Sequence, residues 1–435
     1  MDDTFKIAPE RIAELAQLHP ADLADQLERM EGHEEAISIL RQIPRDLAAA
    51  SLAELDPEVI HDLAPLLPGG ELADLLKRLP HSESTDIVGE LPVEQQQYVL
   101  NELPSDVASP LRTLLQYPED AAGGIMSDEY TTLDANGTIG DALDRLRQPA
   151  FADLTISYLY VVDENNRLAG VVSFRDLVLT QRNIPLRSVT NGKITRLHVN
   201  DDQEEIARQF EHYHYLALPV VDESERLVGV VEANEAIAIA QEEATEDMQL
   251  MVGLSGEERA LTPWHKAIGK RLPWLFVNLA TAFAAASVVA MYESTIAKWT
   301  VLAVFLPIVA GQGGNAGMQT LTVIIRDLAL GELSPGDGRR ALIKEIVLGL
   351  FTGLALGLAV GVVGFLWKGS MILGVIVGVA MVLNQLTAAL AGVLIPLTLK
   401  SLKIDPALAS SIFLTTFTDI GGFFFFLWLA SHALE

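Results

Sequence analysis

Apolar positions follow three successive patterns along the chain. Over residues 1–118 they come in short amphipathic bursts rich in Ala, Leu and Glu, punctuated by proline. Pro68, Pro80, Pro92 and Pro104 recur every 12 residues. Segments such as Glu71–Leu79 and Val93–Leu103 each predict one short helix with proline at the break. A run of such helices, each burying its face on its neighbours, predicts an all-α superhelical domain, an α-solenoid. From about 119 the pattern becomes a duplication. Leu159–Leu179 and Leu218–Ala238 align at an offset of 59 with ten of 21 positions identical. Each copy reads as an apolar strand, a charged turn, a second strand (Gly170–Ser173, Gly229–Val231) and a helix, an α/β unit used twice.

Past residue 270 the chain turns continuously apolar. Leu272–Tyr292, Trp299–Ile325, Val347–Trp367 and Gly369–Leu399 hold 21, 27, 21 and 31 residues without a charge. Pro406–Leu434 is apolar apart from Asp419 and His432. A spanning helix needs about 20 residues, so the pattern predicts five transmembrane helices. The long fourth stretch, with Asn384, Gln385 and Pro396, is expected to be one tilted or kinked helix. The expected organisation is a helical domain over 1–118, a tandem pair over 119–183 and 184–240, a linker helix over 241–263 and a membrane domain over 264–435.

Charge sharpens this division. Of the net −28, residues 1–262 carry −31 and residues 263–435 carry +3. The acid therefore lies in the first three-fifths and the oil in the rest, which excludes a single globular domain. No basic cluster offers phosphate contacts, so no nucleic-acid partner is expected. The chain has no cysteine, which excludes disulfide and thiolate chemistry. In the loops between spans, Lys266, Lys270, Arg271, Arg326, Arg339, Arg340, Lys344, Lys400 and Lys403 fall on one side and Lys298 and Lys368 on the other. This bias predicts a cytoplasmic N-terminus and an external C-terminus. Met1–Pro20 is mixed and charged, so no signal peptide is expected.

Within the membrane region Asp419 carries the most information. It lies 13 residues into the fifth stretch, roughly 20 Å along a helix and near mid-bilayer. An unpaired carboxylate there costs roughly 2.5–3.5 kcal/mol or more, and every Lys or Arg after residue 263 falls in a loop or at a span end. Asp419 is thus either protonated or offset by a mobile cation in a wet cavity. In the second stretch, Pro307 followed by Gly311, Gly313, Gly314 and Gly317 is a poor recipe for a regular helix. Broken backbone at membrane depth is expected only beside protein or a water-filled path. Asn315 and Gln319, at i and i+4, present amides on one side. Asp405-Pro406 reads as an N-cap with proline at N1 of the fifth helix, four turns before Asp419. Glu243, Glu246 and Asp247 share one helix face before the first span, either a solvated face or a divalent-cation site. Ser173 and Asp176 fit a helix N-cap. No Ser/His pairing, paired-carboxylate arrangement or histidine spacing suggests an enzyme; His212 and His214 read as packing or surface.

On these residues the chain resembles the MgtE-type magnesium channel family. The likeness runs through Tyr117–Tyr130, the duplicated pair (which resembles tandem CBS domains), the Glu242–Asp247 linker, Pro307–Leu333 and Asp405–Gly422. The resemblance implies a homodimer in the bacterial inner membrane, with a pore on the two-fold axis lined by the second and fifth spans. It implies Mg2+ as both substrate and regulator. Asp419, Asn315, Gly314, Gln319 and Thr415 become pore positions. Glu235, Glu243, Glu246, Asp247 and Asp405, with Glu71 and Asp74 from the N-domain, become regulatory metal positions that close the pore through a plug helix. It also makes ATP a candidate ligand, with the Ser173 hydroxyl toward phosphate and Asp176 on the ribose; Glu232 and Glu235 stand at the matching places of the second copy. The chain departs from the family pattern at Met318, where a second asparagine is usual, and at His214 and Ala238, where sensor carboxylates are expected. Two other readings stay open on the residues alone: a proton-coupled or Co2+/Mn2+ transporter, and a membrane-tethered metal or nucleotide sensor.

Overall fold

The computed structural model describes residues 7–30, 32–148, 158–190, 195–256, 258–260, 262–333 and 336–434. Residues 1–6 and 435 of the expected end domains, and 257 and 261 of the expected linker, lie outside these. The chain divides into two compact units, Met1–Ile239 and Ala240–Glu435.

The first unit opens with nine short helices among the described residues: α1 (Pro9–Leu15), α2 (Pro20–Glu28), α3 (His33–Gln42), α4 (Arg45–Ala53), α5 (Pro57–Leu63), α6 (Gly69–Leu76), α7 (His81–Gly89), α8 (Val93–Glu102) and α9 (Ser105–Leu114). The proline period has a direct cause. Pro68, Pro80, Pro92 and Pro104 are the N-caps of α6 to α9. A proline lacks only the N–H that a helix start leaves unpaired, while its carbonyl accepts the first helical bond. Pro68 O accordingly takes the Glu71 and Leu72 amides at 2.8 and 3.0 Å. Helices pack on their next-but-one neighbours, α2 on α4, α6 on α8 and α7 on α9. One continuous core runs from Leu15 to Leu111.

After α10 (Ala122–Ile125) the duplication folds as two three-stranded sheets. β1 (Thr132–Asp134) and α11 (Ile139–Leu146) precede β2 (Tyr158–Val162), β3 (Leu168–Ser173) and α12 (Phe174–Leu179); β4 (Leu197–His198) and α13 (Gln203–Tyr213) precede β5 (Ala217–Val221) and β6 (Leu227–Glu232). The two topologies are the same: β1 runs parallel and β3 antiparallel to β2, as β4 and β6 do to β5. The copies are stitched where Tyr130 Oη and Asn166 Nδ2 both donate to the Leu227 carbonyl at 3.0 Å. The helix that closes the second copy, α14 (Ala233–Met251), runs without a break across the boundary expected near 240. It contains neither Gly nor Pro, and Ala, Glu, Gln and Ile sustain it. Gly253 (φ +78) stops it: the Gly253 and Leu254 amides return to the Leu250 and Gln249 carbonyls at 3.0 Å, the pattern of a glycine-terminated helix.

The second unit continues with α15 (Trp264–Met291), α16 (Glu293–Lys298), α17 (Leu302–Ala329), α18 (Gly338–Lys368), α19 (Met371–Ser401) and α20 (Ser410–Ala433). Four of these, α15, α18, α19 and α20, are long and apolar enough to cross a membrane. α17 is 28 residues long but diluted by Gln312, Asn315, Gln319 and its glycines, so the expected fifth span rests on this helix. Two local expectations are corrected. The backbone of 307–319 is not broken, because α17 is one continuous helix. Its glycines serve contact: a Cβ on Gly313 would lie 2.1 Å from Asn384 Nδ2, and one on Gly317 would lie 2.7 Å from Leu414 Cδ1. The helix propensity lost at each glycine, about 1 kcal/mol, is offset by close approach of neighbouring helices. Nor is Asp405 the N-cap of the last helix. α20 begins at Ser410, after Ala409 in the left-handed region (φ 50). Asp405 instead closes its own turn, its Oδ1 accepting the Ala407 amide at 2.6 Å, so helical periodicity does not link it to Asp419. What fixes the later start is tertiary: the Ala409 amide donates to the Leu250 carbonyl of α14 at 2.8 Å.

Candidate functional site

The membrane site is built around α19. Asn384 and Gln385 lie side by side at its middle, 0 % and 1 % exposed. Asn384 Nδ2 donates to the Val309 carbonyl at 2.8 Å and Gln385 Nε2 to the Gln312 carbonyl at 3.2 Å. Two buried amides thus hold the glycine-rich turn of α17 from the side. Asn384 also fills the space left by Gly422 of α20, where a Cβ would come within 2.7 Å of its amide nitrogen. Three helices therefore converge on Asn384, and its contact on α20, Gly422, lies three residues from Asp419.

Asp419 is half-buried in α20 and makes no ion pair among the described residues. The other expected pore positions divide into two groups. Gly314 faces α20, where an added Cβ would stand 3.9 Å from Thr418 Oγ1. Thr415, one turn before Asp419, turns its hydroxyl back to the Ser411 carbonyl at 2.9 Å. Asn315 and Gln319 line a separate cavity between α17, α18 and α19. Met318 packs in an apolar cluster with Leu250, Leu321 and Leu414, so the end of α14 reaches the same helices that hold the glycine-rich run. A reciprocal pair fixes that end: Gln249 Nε2 donates to the Glu258 carbonyl at 2.8 Å and Gln249 Oε1 accepts its amide at 3.0 Å. Glu258, in turn, receives the Arg271 guanidinium.

The regulatory candidates also part company. Glu243, Glu246 and Asp247 lie on the partly buried face of α14 that ends in buried Leu250, as their spacing predicts. Glu71 is paired with Arg41 at 2.8 Å. Asp74 meets Lys77 at 2.5 Å, and that hydrogen bond, with Arg78 and Arg45 nearby, holds its carboxyl below the ordinary range. Both already have basic partners. Glu235 also lies near an acidic cluster built from residues distant in sequence. Asp86 of α7 is pushed up from 3.8 to about 7 by partial desolvation and then by Glu235, Glu119, Glu83 and Glu90. Its side chain still meets solvent, so screening weakens the desolvation part and the crowding of carboxylates is the feature that stands. A signal was present: Glu83, Asp86 and Glu90 share one helix face at i, i+3 and i+7 with no basic residue between. Among the described residues no three His, Asp or Glu side chains are already in metal-ligating geometry. At the CBS-type pair, Ser173 caps α12: its Oγ accepts the Asp176 amide at 3.0 Å and donates to Asp176 Oδ2 at 2.6 Å.

A helical acidic domain, a duplicated α/β pair and a set of long apolar helices around a lone carboxylate define a polytopic membrane protein of cation transport. The chain matches the model of MgtE, divalent cation transporter, over residues 306–429, the MgtE intracellular N domain over 18–120, and the CBS domain over 122–182 and 186–241. It is 36 % identical over 327 residues to the magnesium transporter MgtE of Enterococcus faecalis, covering 75 % of this chain and 72 % of that one. It is 37 % identical over 332 residues to the magnesium transporter MgtE of Thermus thermophilus, with the same shares. A crystal structure titled as the cytosolic domain of the Mg2+ channel MgtE in complex with ATP aligns at 32 % identity and a TM-score of 0.49, over 52 % of this chain and 93 % of that one. The chain belongs to the MgtE family, a family of transporters and not of enzymes.

Proposed function

We propose that the chain is a Mg2+-selective channel of the bacterial inner membrane that closes when cytosolic Mg2+ rises. It works as a homodimer, with α17 as the fifth span, the N-terminus cytoplasmic and the C-terminus outside. The observation that carries this is Asp419, a half-buried carboxylate in a 24-residue apolar helix with no ion pair among the described residues. Two such carboxylates facing each other across a two-fold axis give a divalent ion the charge it needs, while Gly314 and Thr415 line the approach. Inward flow is driven by the membrane potential at roughly 4.6 kcal/mol per divalent ion per 100 mV. The relatives named for magnesium transport support Mg2+ over Co2+ or Mn2+.

Closure follows from acid crowding. When metal is scarce, Asp86 and its carboxylate neighbours disfavour close approach, and Mg2+ bridging them through its water shell draws them together; Glu243, Glu246 and Asp247 belong to the same proposed regulatory set. Asp405, Glu71 and Asp74 remain in the proposed regulatory set, the last two only after exchanging their basic partners. A site of millimolar affinity contributes about 4 kcal/mol, and a full two-state switch takes about 5.5 kcal/mol of differential binding, so several sites act together.

The sign of the pH effect follows from the raised Asp86. A folded-state value above the unfolded one gives stability that is present at acid pH and lost as pH rises through the raised value, between the ordinary carboxylate range and about 7. In metal-free buffer, protease protection of residues 119–262 in the full-length protein should therefore fall between about pH 5 and pH 8. Mg2+ should restore it, and Asp86→Asn should flatten both responses. Protection indifferent to pH and Mg2+ would remove the closure mechanism. Reconstituted protein must also pass Mg2+ when internal Mg2+ is low; intact metal binding without flux would favour the sensor reading.

ATP binding completes the proposal. Ser173 and Asp176 are exchanged from their mutual cap onto phosphate and ribose, so Asp176→Asn should weaken ATP binding in calorimetry, and equal affinity for both proteins would remove ATP from the scheme.

A further inference from the structure

The cavity that Asn315 and Gln319 line has a volume of about 270 Å3, and Asp419 is not among its lining residues. Among its polar lining is Glu345 of α18, only 3 % exposed. Glu345 Oε2 accepts the Thr320 hydroxyl at 2.8 Å, and Oε1 meets Lys344 Nζ at 2.8 Å. The two charges are unequal in their freedom. The Lys344 side chain is 63 % exposed and that of Glu345 3 %, so the carboxylate is the fixed, buried member and the ammonium the movable one. A second, independent feature lies on the same wall. Gln385 is 1 % exposed and lines the cavity; its Nε2 is engaged with the Gln312 carbonyl, while its Oε1 accepts no hydrogen bond from any described residue. A buried acceptor without a donor is costly, more so in a membrane than at a surface.

One carboxylate and the Asn315 and Gln319 amides around a space for several waters suit a particular kind of guest. Mg2+ and similar small divalent ions dehydrate reluctantly, keep several waters and take one or two carboxylates. Their bound waters would donate to the Asn315 and Gln319 oxygens. We propose that this cavity is a second cation site, off the Asp419 path, which takes a partly hydrated divalent cation in competition with the Lys344 ammonium. The identity of the ion rests on the reading of the chain as a Mg2+ channel; the site rests on the cavity itself.

The competition predicts opposite effects for adjacent residues. Because the chain has no cysteine, Leu348→Cys on the cavity wall gives a single nitroxide attachment point one turn from Glu345. Mn2+ titrated into the purified full-length protein should reduce the nitroxide signal, an effect that falls steeply with distance. Glu345→Gln should raise the Mn2+ midpoint by about tenfold or more, the loss of a charged ligand. Lys344→Gln should lower it several-fold, since the resident competitor is gone. Asp419→Asn should leave it unchanged, which separates this site from the pore even if the pore assignment fails. A midpoint that follows Asp419, or that ignores both Glu345 and Lys344, overturns the proposal. So does a midpoint raised by Lys344→Gln, as an anion or lipid phosphate held by the lysine would require. Should Glu345→Gln fail to fold, the Lys344→Gln titration decides alone.

Discussion

Asp419→Asn should abolish Mg2+ uptake in cells starved of magnesium and Mg2+ flux in liposomes, while the protein still folds. The substitution keeps the size of the side chain and removes its charge, so it isolates the electrostatic role. Losing one partner of a desolvated charge interaction costs roughly 2–5 kcal/mol, which places the loss of flux between about thirtyfold and several thousandfold. Folding should not suffer, because the side chain makes no ion pair among the described residues and an amide is cheaper to hold in an apolar helix than a carboxylate. Thermal stability should stay level or rise. Flux that survives Asp419→Asn, with the protein correctly inserted, would end the pore assignment, whatever the cytosolic domains do. A proton-coupled mechanism is separated by the driving force: its flux would track the pH gradient, and channel flux needs none.

Gly313→Ala should be the most damaging single methyl in the membrane domain. The new Cβ would lie 2.1 Å from Asn384 Nδ2 and 2.7 Å from its Cγ. Asn384 cannot withdraw freely, because it is fully buried, donates to the Val309 carbonyl and is flanked on its other side by Gly422. Either α17 moves away from α19 or the amide leaves the carbonyl. Overpacking of this kind costs about 1–3 kcal/mol, and the lost buried hydrogen bond adds about 1–3 kcal/mol. The expected result is a clear fall in the unfolding temperature of the detergent-solubilised protein, with reduced flux. Gly311→Ala is the control: nothing lies within 4 Å of its added Cβ, so the change should fall within about 0.5 kcal/mol. If the two variants behave alike, the glycine-rich run does not work through close packing.

Much of the architecture was legible because it is periodic. The proline repeat marked the starts of α6 to α9, since a proline can begin a helix and cannot sit inside one without cost. The 59-residue offset announced two sheets of one topology. Long charge-free runs announced membrane helices, and α19 proved to be one helix, as its length suggested. Signals were also left unread. Gly349, Gly353, Gly357 and Gly361 recur every fourth residue in α18, and Cβ atoms at Gly357 and Gly361 would meet the carbonyls of Gly378 and Gly374 at 2.6 and 2.8 Å. That spacing marks the α18–α19 contact in advance. Glu345 passed unnoticed because it stands beside Lys344 at the start of a span, where a neutral pair reads as loop.

By itself the chain determined where the helices begin, which segment is duplicated, how charge is shared out, and that one acid stands alone in oil. Those are properties of neighbours along the backbone, set by propensity, hydropathy and spacing. Only the tertiary structure decided that the glycine-rich run stays helical, that Asp405 closes a turn while α20 starts at Ser410, that Asn315 and Gln319 face away from the Thr418 side of α17, and that Asp86 crowds Glu235 from some 150 positions away. Each of these depends on a carbonyl, an amide or a charge brought in from another element, and no local pattern encodes which one arrives.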